Sequence, residues 1–307
     1  MQNIVHEMRY ESAADLLNDL LPWSSKFPLK DYVFRGHSNA NYQLTPTSVR
    51  EYEKNKIGNF RRVGVILDGG NEDSEFSLAF AEYKLLRDFY RSADSHGLNV
   101  PKSDMLRERL YQDFDANMLF GIANGERWLP SDMLESAALA QHYGIPTRLL
   151  DWTHDPFVAA FFSSKNTTVK DGELCIWALN SYLMGGIIAG DRDCPFSMVT
   201  PHYGGNPNLA AQKGLFTHWA TDMPNFHSLK DAVLVDRRPL DELVRQYFID
   251  RKISVGLPVF IKMVLSSEKS KELAMHLRNF GYGPAKIFPG YAGVAAAMTD
   301  LDWLAWG

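Results

Sequence analysis

The sequence predicts an α+β domain. Three observations lead there. A strongly periodic helical run, Ser74 to Tyr90, and two more helical segments precede residue 144; strand-like runs with short helices follow; and neither GxGxxG nor GxxxxGK[ST] occurs. Helices first and strands later argue against an alternating βαβ chain and for an α+β fold with helical elaboration. The missing glycine motifs remove support for a Rossmann or P-loop nucleotide site.

Ser12 to Leu21 carries apolar residues at helical spacing, with Ser12 as N-cap and Pro22 as stop. Asp31 to Gly36 reads as a short strand ending in glycine. Arg50 to Asn59 is polar and exposed, and Gly69-Gly70-Asn71 marks a turn. In the Ser74 run, Phe76, Phe80, Tyr83, Leu86 and Phe89 share one helical face. Asp104 to Asn117 and Pro130 to Tyr143 are further helices; Gly144-Ile145-Pro146 ends the second. Thr147 to Trp152 is a strand, and Pro156 opens a helix to Ser163. Gly172 to Leu179 is a buried strand. Ser181 to Gly214, rich in glycine and proline, reads as a long irregular excursion. Val233 to Val235 and Pro258 to Leu265 are strands. Pro239 to Ile249 and Glu268 to Phe280 are helices, and Ile287 to Gly290 leads by a turn into Val294 to Met298. Trp303 and Trp306 are expected to be packing anchors.

The 307 residues fit one elaborated domain, 1–307, with a helical insertion at about 71–135. Hydrophobic residues make up 45% and charged residues 22%, enough apolar matter for a large core. A net charge of -5 disfavours a generic nucleic-acid coat, which runs on lysine and arginine. Two cysteines, Cys175 and Cys194, give no zinc spacing, and the histidines no metal site. Without an apolar leader or a spanning run, the expectation is a cytoplasmic protein with no membrane contact.

Three polar constellations could carry chemistry. In Tyr32-Val33-Phe34-Arg35-Gly36-His37-Ser38, an arginine sits among strand residues, where its guanidinium could clamp a phosphate with two parallel hydrogen bonds. Gly36 would let a ligand approach the backbone. The alternative is a structural ion pair. In Gln141 to Thr153, the polar residues Gln141, His142, Arg148, Asp151 and Thr153 crowd around a Gly-Ile-Pro turn. Asp151 and Thr153 share one strand face. The bland alternatives are an Arg148–Asp151 ion pair, a cap from Thr153 or Asp155, and a core histidine at 142. Third, Gln212 precedes Gly214 and an apolar strand; its amide suits a ribose or base, though a polar loop entering a strand has the same spacing.

These motifs resemble the FRG domain family: Phe34-Arg35-Gly36, Gln141 to Phe162, Gln212-Lys213-Gly214-Leu215-Phe216 and Ile287-Phe288-Pro289. The last departs from the family's acidic pattern, having Gly290 and Tyr291. The motif order is also similar to ADP-ribosyltransferases of the arginine–serine–glutamate type. That resemblance implies a split β-sheet core with N-terminal and inserted helices, and NAD as substrate with no metal. It further implies a toxin or phage-defence effector that modifies RNA or a protein, with a possible antitoxin partner. Arg35 would bind the pyrophosphate, and Asp151, Thr153 and Gln212 would hold the ribose. Tyr143 or Trp152 would stack on nicotinamide, and Phe34, Gly36, His37, Gln141, His142 and Arg148 would complete the cofactor site. Asp151 stands where that family has serine and Gln212 where it has glutamate. A neutral amide stabilises developing positive charge less than a carboxylate. Asp151 or Glu173 would then supply the acid, or the site would bind nucleotide as a sensor without turnover.

Overall fold

The computed structural model describes residues 3–23, 27–50, 73–107, 127–165, 172–223 and 233–299. The turn at Gly69 to Asn71, the tail tryptophans, residues 51–59 and the end of the helix expected to reach Asn117 lie outside them.

The chain is a mixed α/β protein built on a seven-stranded, mostly antiparallel sheet. Its strands are β1 (Val5–Tyr10), β2 (Tyr32–His37), β4 (Leu149–Thr153), β5 (Glu173–Asn180), β6 (Phe196–Val199), β7 (Gly214–Trp219) and β9 (Phe260–Ser266). They lie in the order β1-β9-β5-β2-β4-β7-β6, and the β1–β9 pair alone is parallel. A two-stranded ribbon joins β3 (Arg127–Trp128) to β8 (Thr221–Asp222).

Alternation along the strands makes two apolar faces. Tyr32, Phe34, Ile176, Ala178, Ile261 and Met263 pack on helices Ala13–Asp19, Pro156–Ser164 and Ser270–Asn279. Val33, Trp152, Cys175, Trp177, Leu215 and Val264 face the helices Ser181–Gly190 and Leu240–Asp250. A third cluster joins Leu149 and Phe216 to the helices Glu75–Ser95 and Leu134–His142.

The local rules hold at the ends of elements. Ser12 and Ser74 accept hydrogen bonds from Asp15 N and Ser77 N as N-caps. Gly144 and Gly281 take positive φ just past their helices (86° and 78°), which glycine adopts at no steric cost. Asp155, rather than Thr153, caps the helix opened by Pro156.

Three expectations are corrected. The stretch 181–214 is no irregular excursion, for it contains helix Ser181–Gly190, strand β6 and helix Pro207–Ala211. Asn180 accepts from Leu183 N at the first helix start, and Leu183, Met184, Ile187 and Ile188 form a stripe that overrides Gly185 and Gly186. Val233 to Val235 is not a strand but contributes an isolated bridge, Ser74 to Leu234. Strand β1 precedes every described helix and β2 precedes the helix Glu75–Ser95, so the helices-first order fails at the N-terminus. None of the described helices is long and apolar enough to cross a membrane.

Candidate functional site

The site lies at the narrow join between two strands of the sheet. Strands β2 and β4 are joined at one register position, Phe34 opposite Thr153. Beyond it Arg35 reaches across. Its Nη1 donates to the Asp151 main-chain carbonyl at 2.8 Å and to Asp151 Oδ2 at 3.3 Å. Its Nε donates to His37 Nε2 at 2.9 Å. The arginine side chain is 17% exposed and the Asp151 side chain 58%, so the carboxylate is the wet partner.

Around this pair opens a cavity of about 1090 Å³. That is at the upper end of the roughly 300–1,000 Å³ of small-molecule sites. Arg35, Asp151, Thr153 and Gln212 all line it, as do Gly36, His37, Gln141 and His142. Among the described residues the lining holds three arginines, Arg35, Arg50 and Arg237, and one carboxylate, Asp151; Arg237 is itself paired with Asp73 at 3.2 Å. Burial and the charge of Arg50 both push the Arg35 pKa down, against the opposing pull of Asp151. A guanidinium nevertheless stays charged in proteins, so the cavity favours an anion.

A relay sets the carboxylate. Thr147 Oγ1 donates to Gln141 Oε1, which turns the Gln141 amide nitrogen toward Asp151 Oδ1, 2.7 Å away. Asp151 thus accepts from Gln141 on one oxygen and from Arg35 on the other. Gln141 therefore acts on Asp151 before any cofactor. Thr153 Oγ1 donates to the Gln212 carbonyl at 2.6 Å and accepts from Asp155 N at 2.9 Å, fastening β4 to the start of β7. Gln212 Nε2 donates to the Ile287 carbonyl at 3.3 Å, holding the Phe288 segment against the cavity.

Several expected positions have other partners or other roles. Arg148 does not pair with Asp151. It is buried beneath the helix Glu75–Ser95, paired with Glu75 and, through Nε, with Glu82 at 2.6 Å. Those two carboxylates outweigh the burial that alone would lower its pKa, and raise it. Trp152 borders the cavity, but its side chain is buried in the core of the opposite sheet face, where Nε1 donates to Thr217 Oγ1 at 2.8 Å. Tyr143 is exposed and outside the cavity lining. Phe34 is core. Glu173 pairs with Arg9 on the surface and does not line the cavity. A Cβ on Gly36 would lie 1.9 Å from the Ala159 carbonyl, so this glycine serves the crossing of β2 and its helix rather than a ligand.

Sequence reasoning missed the residues contributed from afar: Arg50, Arg237, Phe162 and Phe288. Phe162 is 36% exposed on a helix whose Val158 to Phe161 are buried, and its ring meets Phe288 edge-on at 6.2 Å. Exposure of that ring within a cavity is the signal for an apolar subsite.

His37 and His218 are both buried, and burial, aided by the charge of Arg35 at the first and of Arg148 at the second, holds each at a pKa of about 3. An unfolded imidazole titrates near 6.5. Below that pH the unfolded chain binds protons that the folded chain refuses. The histidines' contribution is therefore intact above pH 6.5 and is lost as pH falls toward 3. Each costs at most about 1.4 kcal/mol per pH unit. Glu75, whose carboxyl burial pushes up, works in the opposite sense. Urea unfolding is expected to lose up to about 3 kcal/mol between pH 7.5 and 5.5. Equal stability at the two pH values would contradict this.

Comparison with curated proteins and with solved structures finds no match. The model of the FRG domain family does match, over residues 30–172, which carries Arg35, Gln141, His142, Asp151 and Thr153.

Proposed function

We propose that the chain is an NAD-dependent ADP-ribosyltransferase, working as a toxin or defence effector on an RNA or protein acceptor. The observation that carries this reading is the Arg35–Asp151 pair at the narrow join of β2 and β4, inside a cavity lined, among the described residues, by three arginines and one carboxylate. The arrangement supports an ordered ligand. Arg35 takes the pyrophosphate, assisted by Arg50 and Arg237. Asp151 lies beside it, and Thr153 follows two residues along the strand, about 6–7 Å away. Thr153 contacts the Gln212 backbone, and Gln212 the Phe288 segment. Phosphate, ribose and an aromatic ring bind in that order. Asp151 then supplies the negative potential that the ribose needs as nicotinamide leaves. Phe162 and Phe288 replace Tyr143 and Trp152 as the aromatic neighbours of the ring.

A second reading is a nucleotide-sensing module without turnover. Gln212 favours it, since an amide that donates to Ile287 O stands where a transferase of this type would carry its glutamate.

Calorimetric titration with NAD tests the arginine in either reading. Arg35→Lys keeps the charge but loses the planar fork that spans His37 and Asp151. It is expected to bind NAD nearly as poorly as Arg35→Ala, a loss of about 1.5–3 kcal/mol. Wild-type affinity in a folded lysine variant would remove Arg35 from the ligand site.

A further inference from the structure

We infer that His142 is the general base of the transfer, the group that takes the proton from the attacking acceptor. The inference rests on the transferase reading above. Breaking the ribose–nicotinamide bond sends its electron pair to the nicotinamide nitrogen, which leaves neutral. A lone pair of the acceptor forms the new bond to the same ribose carbon, and the acceptor's proton must go to a base. Transfer to a free imidazole nitrogen completes the balance, and the imidazolium then returns the proton to solvent.

Three bases line the cavity among the described residues: Asp151, His37 and His142. Asp151 has both carboxylate oxygens engaged, Oδ1 by Gln141 and Oδ2 by Arg35. Thr147 locks the Gln141 amide in the donating sense, so this occupation is built into the turn. A carboxylate so held acts by its charge. His37 has no free nitrogen either. Its Nε2 accepts from Arg35 Nε, which leaves Nδ1–H to donate to the Tyr42 carbonyl at 3.1 Å.

His142 differs. It ends the helix Leu134–His142, next to Gln141, and is half-buried with its ring edge-on to Tyr143 at 5.2 Å. Neither ring nitrogen makes a hydrogen bond among the described residues. Burial keeps its pKa below 6.5 against the pull of Asp151, so the ring is neutral and able to accept at pH 7. Once protonated, it faces the Asp151 carboxylate, whose charge favours the imidazolium.

The test is single-turnover nicotinamide release from NAD, with mixed-sequence single-stranded RNA present and water as the ever-present acceptor. Wild type, His142→Ala and His142→Gln are compared beside NAD affinity and melting curves. Loss of a general base is expected to slow release by roughly 10²–10⁴-fold. NAD affinity should stay within about twofold, and added imidazole should restore part of the rate to His142→Ala. A wild-type rate in either folded variant would overturn the inference, as would a loss of NAD affinity that accounts for the slower rate. A wild type that releases no nicotinamide would instead overturn the transferase reading on which this stands.

Discussion

Asp151→Asn is expected to release nicotinamide roughly 100-fold or more slowly than the wild type, the scale of losing one preorganised electrostatic group. NAD affinity should change by no more than about tenfold, or 1.4 kcal/mol. The geometry separates the two effects. Arg35 anchors on the Asp151 main-chain carbonyl at 2.8 Å as well as on the side chain, so the asparagine variant keeps the guanidinium in place. What it removes is the charge facing the ribose. No other carboxylate lines the cavity among the described residues, so none compensates. Single-turnover release, read beside a melting curve, is the check. A folded Asp151→Asn protein with full turnover would exclude Asp151 from the chemistry, and Glu173 is no substitute because it lies on the surface with Arg9.

Arg148→Ala is expected to have the largest effect on stability. The arginine is buried between Glu75 and Glu82, and Glu82 Oε2 also accepts from Trp128 Nε1 at 2.6 Å. Removing the cation leaves two carboxylates facing each other without water, at a cost of about 3–5 kcal/mol. That is a large part of the roughly 5–15 kcal/mol that holds a domain together. Thermal or urea unfolding should show it directly. The triple variant Arg148→Met, Glu75→Leu, Glu82→Gln should recover most of the loss, because it removes the charges together and keeps an acceptor for Trp128. An Arg148→Ala protein as stable as the wild type would contradict the buried-network account.

These two residues, three positions apart, also show what the sequence could reveal. The helix, glycine turn, strand and helix of residues 134–164 were legible, because Gly144, Pro146, Asp155 and Pro156 each act on their own neighbours. The polar cluster Arg35, Gln141 and Asp151 was legible as a set of residue types. Its pairing was not. Arg148 looked like the natural partner of Asp151, but its acids come from a helix 66 and 73 positions away in sequence. Local spacing carries no information about such a contact.

The aromatic neighbours of the cavity are a different case. Strand alternation puts Trp152 on the face opposite Asp151, so the pattern of Leu149 to Thr153 already argued against it. Phe162 and Phe288 meet edge-on because the segment carrying Phe288 packs against the helix Pro156–Ser164. Strand β1 escaped notice for its polarity: His6, Glu7 and Arg9 belong to an edge strand that pairs on one side with β9.

The most direct measurement of the central claim uses NAD labelled in its adenylate half, incubated with the wild type and with mixed-sequence RNA or cell protein. One free nicotinamide is expected for each label transferred to acceptor or water, with both products lost together in Asp151→Asn. Saturable NAD binding with no nicotinamide released under any acceptor would contradict it, and would establish the cavity as a sensor instead.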